Sequence, residues 1–265
     1  DIITSGFQSA GQRCSALRML YVQKDIADKL LTMLKGAMDC LVIGDPADLT
    51  TDVGPVIDEV AQKKLQSYID QRQANGQVLH QKAVPTEHAA RGHFIAPTLV
   101  QVNGIADLGE EMFGPIVHFA TFDAHDLEQI LDDVHAQGYG LTLGLHTRIE
   151  RRAQELTDRA HVGNIYVNRN QIGAVVGCQP FGGCGLSGTG PKAGGPLYLT
   201  ALAHLHEDDN ATYTDILTAR QLPWGGVSLD SPTGERNIYR VRGRGEVLCL
   251  GPTLKDVEQQ IVLAS

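Results

Sequence analysis

The spacing of hydrophobic and polar positions changes repeatedly along the chain, and each change predicts a strand or a helix. Residues 17–23 combine apolar, aromatic and β-branched side chains, which is typical of a buried strand. Apolar residues then recur at helical spacing, and Asp25 is the predicted N-cap. These apolar positions are Ile26, Leu30, Leu34, Ala37 and Leu41.

A second helix is predicted over residues 58–75, and Gly76 follows it where a helix C-terminus favours glycine. Strand-like residues occupy 77–81 and, after a polar loop, 94–102 around Pro97. The order of elements then repeats, with strands over 116–122, 141–147 and 162–168 and helices over 126–136 and 150–160. Strands that alternate with helices of about this length indicate an α/β fold with a mainly parallel sheet and flanking helices.

The amino-acid composition changes after this region of alternating strands and helices. Residues 173–196 are rich in glycine, which permits close approach of backbone to backbone or ligand, although a set of tight turns would look the same. We predict one catalytic domain over residues 1–204 and a linker over 205–245. The final residues, 246–265, contain a short strand over 246–250 and a helix over 254–264, and read as the start of a further domain.

Composition limits the classes of function. The chain has 265 residues, of which 42% are hydrophobic and 20% charged, so it can bury an ordinary globular core. A net charge of −9 argues against a nucleic-acid surface, and no apolar run reaches the roughly 20 residues of a transmembrane segment. The five cysteines match neither a zinc pattern nor a disulfide framework, so we predict no metal site and a reducing, cytoplasmic location.

Cys14 is the candidate nucleophile, because a thiolate attacks carbonyl carbon better than other ordinary side chains do. A lone cysteine is more often a small buried hydrophobic residue, so its sequence context has to decide. That context consists of three motifs: Phe7 with Gly11, Gln12 and Cys14; residues 111–115 (EMFGP); and residues 180–188 (PFGGCGLSG). In this order and spacing they resemble the hallmarks of the aldehyde dehydrogenase family.

The resemblance is closest to the glutamate-semialdehyde dehydrogenase modules of the proline utilization A family and covers residues 1–204. It rests on the stretches GQRCSALR, GDPADLTTDVGPVID, GYGLTLGLHTRI, NIYVNRNQIGAVVG and FGGCGLSGTGPKAGGPLYL. It implies NAD-dependent oxidation of L-glutamate γ-semialdehyde to L-glutamate in proline catabolism. The FAD of that family belongs to a separate proline dehydrogenase domain.

The resemblance also implies roles for particular residues. Cys14 would form a hemithioacetal and then a thioester, with its own N–H helping to hold the oxyanion. Glu111 would bind the nicotinamide ribose and Phe113 would pack against the nicotinamide. A solvated surface carboxylate is the alternative for Glu111, which follows Glu110 directly.

Substrate choice would rest on a second set of residues. Ser15 and the glycine pair Gly194 and Gly195 match the positions that anchor the substrate carboxylate in these relatives, and Phe181 would line the aldehyde tunnel. The alternatives are an ordinary turn for the glycine pair and a core aromatic for Phe181. Cys178 and Cys184 match no catalytic position and are interpreted as incidental.

Several family features are missing from the sequence. The Rossmann-like cofactor domain, the oxyanion asparagine and the general-base glutamate precede the nucleophile in the family, and no Gly-x-Gly-x-x-Gly fingerprint occurs in a suitable context. Since the chain starts at Asp1, we expect it to be a piece of a longer enzyme, inactive by itself. A β-hairpin flap near residues 162–176 would join it to another subunit in a homo-oligomer.

Three other interpretations stay open. An aldehyde dehydrogenase of different specificity would leave Ser15 and the glycine pair without a role. A non-catalytic oligomerisation fragment is consistent with the missing base. A cysteine hydrolase would need a histidine to activate Cys14, and none of the ten histidines stands in a recognisable motif.

Overall fold

The computed structural model describes residues 1–199, 226–243 and 248–264. These fall into two compact units. The first consists of residues 1–173 and 183–189, and the second of residues 174–182 together with the chain from Gly190 onward. The predicted boundaries at residues 204 and 245 stay predictions.

The first unit is built on a four-stranded sheet. Its strands lie in the order β1, β4, β3, β2, where β1 is Met19–Gln23, β2 is Val78–Gln81, β3 is Thr98–Gln101 and β4 is Ile116–Phe122. β4 pairs in parallel with both β1 and β3, and only β2 runs antiparallel, at the edge. The predicted α/β fold with a mainly parallel sheet is therefore confirmed.

The central position of β4 explains its sequence. Its first five residues are buried, as expected for a parallel strand that is covered on both faces. The core around it includes Phe7 from α1 (Ile2–Phe7), Leu34 and Met38 from α2 (Lys24–Asp39), and Leu65 from α3 (Glu59–Ala74). The sheet is thereby packed against α2 and α3, whose ends the sequence pattern predicted within two residues, and against α1, which it did not predict.

A second parallel pair extends the first unit. Strand β6 (Thr142–Leu145) pairs with β7 (Asn164–Val167), and a small core joins them to α4 (Leu127–Ala136) and α5 (Glu150–Arg159). In the interval predicted as a β-hairpin flap, 162–176, the structure has the strand β7 and no strand over residues 168–176, so the flap stays a prediction. The short strands β5 (Tyr139–Gly140) and β8 (Cys184–Gly185) form an antiparallel pair.

The described part of the second unit contains an antiparallel hairpin and a helix. The hairpin joins β9 (Val227–Leu229) and β10 (Asn237–Tyr239), within the interval predicted as a linker. The last helix covers Leu254–Ala264, as predicted. Of the predicted strand over 246–250, residues 246–247 lie outside the described residues and 248–250 form no strand.

None of the helices in the described ranges combines the length and the apolar character that a membrane span requires.

Candidate active site

The sheet topology brings together two sequence segments that lie far apart in the chain. Cys14 shortly precedes β1, and Glu111 and Phe113 shortly precede β4. Since β1 and β4 are parallel neighbours, with Met19 opposite His118, both segments emerge at the amino edge of the sheet. Parallel pairing thus places the candidate nucleophile beside the candidate cofactor residues.

The backbone before Cys14 has an unusual conformation. Ser9, Ala10 and Gly11 all have positive φ angles, of 55°, 52° and 64°. Side-chain-bearing residues adopt this left-handed conformation at a cost, which is a feature often found at functional sites. Gly11 also lies directly against the second segment, because a Cβ atom there would be 2.1 Å from the carbonyl oxygen of Gly114. The two motifs therefore touch through their glycines.

Cys14 itself is accessible. The residue is exposed and its thiol is free, while the backbone makes a turn in which Ala16 N–H donates to the carbonyl of Arg13 at 3.0 Å. A thiol that had only a packing role would be expected in the core. Its exposure at the end of a strained loop fits the predicted nucleophile.

Ser15 is buried, with only 4% of its surface exposed. Its carbonyl accepts a hydrogen bond of 3.2 Å from the side-chain amide of Gln171, and the N–H of Gln171 donates to the hydroxyl of Ser5 at 3.2 Å. The loop after β7 is thereby attached to the cysteine loop. Sequence reasoning did not identify Gln171.

Gln12 fixes the other side of the cysteine loop. Its side-chain amide donates to the carbonyl of Pro55 at 3.2 Å and its side-chain oxygen accepts from the N–H of Ile57 at 2.8 Å. The motif glutamine therefore has a structural role, since it binds the segment that leads into α3.

Glu111 and Phe113 are both partly open to solvent. The Glu111 side chain is 45% exposed and ion-paired with Arg18, with 3.1 Å between Oε1 and Nε. The Phe113 residue is also 45% exposed, and its ring centroid lies 4.6 Å from the central guanidinium carbon of Arg18. The neighbouring Glu110 forms a separate, exposed pair with Lys64 at 2.6 Å. Glu111 is thus not a freely solvated carboxylate.

Arg18 connects these groups, and sequence reasoning missed it. Besides Glu111, its guanidinium donates to the carbonyls of Gly11, Arg13 and Gly114. Its side chain is only 12% exposed. Burial lowers the pKa of Arg18, and the hydrogen bond with Glu111 acts in the opposite direction.

A buried histidine supports Arg18 from the sheet. Both the backbone N–H and Nδ1 of His118 lie within 2.9 Å of the Arg18 carbonyl oxygen, and Nε2 is 2.8 Å from the Tyr68 hydroxyl. Burial lowers the pKa of His118 to about 4, so the ring is neutral near pH 7. A carbonyl can only accept, so Nδ1 carries the proton and Nε2 accepts from Tyr68.

The remaining predicted substrate residues lie in the second unit. Phe181 is half-buried and forms an isolated antiparallel bridge with Ala193. Gly194 has a φ of +68°, and the N–H of Gly195 donates to the carbonyl of Lys192 at 3.0 Å. The glycine pair therefore forms a turn in which one of its two N–H groups is already engaged.

One group of potential metal ligands occurs among the described residues. Carboxylate and imidazole atoms of Asp123, His125 and Asp126 lie within 4.8 Å of one another, but His125 is exposed and Asp123 pairs with Lys24 at 2.5 Å. The cluster lies after the carboxyl end of β4, whereas Cys14 precedes the amino end of β1.

A family model described as aldehyde dehydrogenase family matches residues 1–206. The bifunctional protein PutA of Salmonella typhimurium is 42% identical over 98% of this chain, which corresponds to 23% of the relative. The 1-pyrroline-5-carboxylate dehydrogenase 1 of Halalkalibacterium halodurans is 38% identical over 75% of the chain and 38% of the relative. The chain thus spans about a quarter of the length of the PutA relatives it matches.

Solved structures give the same result. A mutant of proline utilization A from Bradyrhizobium japonicum superposes with a TM-score of 0.71 at 50% identity, covering 75% of this chain and 20% of that one. A Thermus 1-pyrroline-5-carboxylate dehydrogenase with bound NAD superposes with a TM-score of 0.67 at 34% identity, covering 75% and 38%.

Proposed function

Because the chain belongs to the aldehyde dehydrogenase family, we propose that the protein carrying it oxidises L-glutamate γ-semialdehyde, the open form of pyrroline-5-carboxylate, to L-glutamate with NAD. The family resemblance read from the three motifs is confirmed by the family match. The substrate is supported by the names of the relatives, which include PutA proteins and 1-pyrroline-5-carboxylate dehydrogenases. The observation that carries the proposal is that the exposed Cys14 follows a loop that Arg18 joins to Glu111 and Phe113.

The residues present fit the nicotinamide end of NAD. The Glu111 carboxylate can accept hydrogen bonds from ribose hydroxyls, and the Phe113 ring offers an apolar face to a flat heterocycle. Both side chains are 45% exposed at the sheet edge where the Cys14 loop lies. When bound, NAD supplies the hydride acceptor, which takes up the two electrons of the oxidation at the site of the nucleophile.

Cys14 performs the covalent chemistry. Its thiolate adds to the aldehyde carbon, and the carbonyl π electrons move to oxygen to give a hemithioacetal alkoxide. The Cys14 N–H donates to this oxyanion. The C–H bond then breaks with departure of hydride, the C=O bond reforms, and a thioester remains on sulfur. Addition of water releases the carboxylic acid and returns the thiol, which completes the balance of atoms and electrons.

Recognition of the substrate carboxylate is proposed for Ser15 and the turn at Gly194 and Gly195, with Phe181 beside the aldehyde chain. A hydroxyl and convergent backbone N–H groups can bind an anion without bulk.

We further propose a cytoplasmic location and a homo-oligomer. The location is supported by the cysteines, none of which forms a disulfide in the part of the chain that the structure describes, as expected in a reducing compartment. The contact proposed for the oligomer remains the flap near residues 162–176, in which the structure has the strand β7. Sedimentation velocity of the complete protein tests the oligomeric state.

The nucleophile is tested by Cys14→Ala in the complete protein. NADH production from glutamate semialdehyde should fall by more than about a hundredfold, because covalent capture precedes oxidation. NAD affinity should remain within about threefold of wild type, since NAD contacts Glu111 and Phe113 rather than sulfur. Cys184→Ala, at another exposed cysteine of the same unit, is the matched control and should keep wild-type activity. A Cys14→Ala enzyme with a tenth of the wild-type rate would exclude Cys14 as the nucleophile.

Substrate class is tested by comparing glutamate semialdehyde with butanal, which has no carboxylate. Ser15→Val removes a hydroxyl donor, and Gly195→Leu adds a side chain whose Cβ would lie 3.0 Å from the Lys192 carbonyl oxygen and so disturbs the turn. Each should raise KM for glutamate semialdehyde at least about tenfold while changing KM for butanal little, because only the first aldehyde has a carboxylate to be anchored. Equal losses on both aldehydes would assign these residues to packing and would remove the support for a carboxylate site. Release of acid from a thioester, together with no oxidation of either aldehyde in the presence of NAD, would instead favour a cysteine hydrolase.

A further inference from the structure

Arg18 contacts both of the segments that lie at the amino edge of the sheet, the cysteine loop and the cofactor motif. Its Nε is 3.1 Å from Glu111 Oε1, its Nη2 is 3.1 Å from the Arg13 carbonyl oxygen, and its Nη1 donates to the carbonyls of Gly11 and Gly114. One guanidinium thus joins the backbone before the nucleophile to the backbone and side chains of the cofactor motif.

The contact with Phe113 adds a second type of interaction. The guanidinium carbon lies 4.6 Å from the ring centroid, within the range of a cation–π contact. Glu111 and Phe113 are both nearly half exposed, so neither is fixed by burial alone. Arg18 is the group that restrains both side chains.

We propose that Arg18 is a positioning residue that sets Glu111 and Phe113 against the Cys14 loop, and thereby presents the nicotinamide end of the cofactor to the nucleophile. This inference rests on the proposed function and deepens it. It assigns to Arg18 no contact with substrate or cofactor.

Only arginine can make this set of contacts. Its planar fork offers five N–H donors in fixed directions, and these serve one carboxylate and three carbonyls on two separate segments. A lysine ammonium would keep the charge, but as a point donor it cannot span the same partners. The guanidinium is also largely removed from water, so each missing partner would leave a buried donor unsatisfied.

The neighbouring ion pair shows what an ordinary surface contact looks like in the same loop. The side chains of Lys64 and Glu110 are 52% and 60% exposed. In the described residues, no hydrogen bond joins the Lys64 side chain to Glu111 or to the cysteine loop. Such exposed pairs contribute little. Lys64 is therefore a matched control for removing a cation next to the cofactor motif.

The backbone of Arg18 is itself held rigidly. Two N–H groups of His118 donate to its carbonyl, and Tyr68 in α3 donates to the other side of the same ring. A side chain that extends from a fixed backbone loses less entropy when it is ordered. The hydrogen bonds from Tyr68 to His118 and from His118 to the Arg18 carbonyl therefore fix the backbone from which the Arg18 side chain reaches the exposed site.

The test is a double-mutant cycle on NAD affinity, measured by titration calorimetry in the complete protein. Arg18→Met and Glu111→Gln should each weaken NAD binding about tenfold, the loss of one charge-assisted hydrogen bond. If Arg18 acts through Glu111, the double variant should be no more than about threefold weaker than either single variant, because contacting residues are not additive. Lys64→Met should bind NAD like wild type.

Kinetics supply a second readout that general loss of structure would not produce. Arg18→Met should raise KM for NAD about tenfold while leaving KM for the aldehyde within about twofold, since the contacts it loses are those to Glu111 and Phe113. If Arg18→Met does not fold, Arg18→Lys keeps the charge and the apolar stem, and the same split is expected from it. Wild-type NAD affinity and KM in a folded Arg18 variant, or an additive loss of about a hundredfold in the double variant, would overturn the inference. Failure of the wild-type protein to bind NAD would instead overturn the proposed function.

Discussion

The buried ring of His118 should give the stability of the first unit a distinct dependence on pH. The side chain is inaccessible to solvent, and burial lowers its pKa from the ordinary 6.5 to about 4. The unfolded chain therefore binds a proton between pH 6.5 and 4 that the folded chain does not bind. Since stability rises with pH wherever the unfolded state holds more protons, acidification through this window should favour unfolding.

The size of the effect follows from the two pKa values. Stability is unaffected by this group well above pH 6.5 and is lost progressively as the pH falls toward 4. Between pH 7 and pH 5 the loss due to His118 should be about 2 kcal/mol. That is a substantial fraction of the stability of an ordinary domain.

Urea unfolding at pH 7 and pH 5, followed by far-ultraviolet circular dichroism, measures this loss. His118→Asn keeps an amide donor near the Arg18 carbonyl and removes the titrating ring. It should be less stable than wild type at pH 7, but its loss between pH 7 and pH 5 should be smaller by about 2 kcal/mol. His125→Asn, at an exposed histidine, controls for the loss of a histidine. Equal pH dependence of His118→Asn and wild type would refute the reasoning.

Three further substitutions probe the scaffold, and each is measured by the free energy of unfolding in urea. Gly11→Ala should destabilise by at least about 1–2 kcal/mol, the cost of the left-handed conformation alone, and a smaller loss would contradict its contact with Gly114. Asp58→Ala should cost about 1 kcal/mol because Asp58 accepts from the N–H of Ala61 at the start of α3, whereas Asp58→Asn should retain most of that stability. Gln171→Leu should cost about 1–3 kcal/mol by leaving the buried Ser15 carbonyl without its donor, and wild-type stability would show that water replaces it.

The sequence predicted best those elements that carry local signals. The helix Glu59–Ala74 lies where Asp58 caps its start and Gly76, with a φ of +68°, follows its end. The strand Ile116–Phe122 has the predicted bounds, because its long apolar run is compatible with a strand buried on both faces. The segments that carry Cys14 and Glu111 lie at the same edge of the sheet, because β1 and β4 are parallel neighbours, and the roles of the two residues stay predictions.

The bounds of some strands and the start of one helix were predicted less well. The strand expected over 94–102 covers only Thr98–Gln101, since Pro97 lacks the N–H that a ladder requires. Asp25 lies inside the first turn of α2 and not at its cap, because the helix already begins at Lys24. In the interval 162–176 the strand β7 was predicted, but periodicity does not show which strand it pairs with, so the flap stays a prediction.

Arg18 was not predicted as a site residue because its partners are mostly backbone carbonyl groups, which every residue has and which a sequence therefore cannot distinguish. Three of its four hydrogen-bonding partners are backbone oxygens, and Glu111 is 93 positions away. A weak signal was present, since Arg18 is a single charge within the otherwise apolar stretch from Ala16 to Val22. Charged residues in such stretches are buried only with partners, so this one deserved a search for an acidic counterpart.

The contact between Gly11 and Gly114 has a consequence for the order of events in folding. It closes a loop of about a hundred residues, and loops of that size are slow to close compared with helix formation. Helices such as α2 and α3 rest on neighbouring residues, whereas the surroundings of Cys14 require β1 and β4 to pair first. A refolding chain should therefore recover most of its helical signal before its thiol acquires its native environment, so catalytic competence is among the last properties to return.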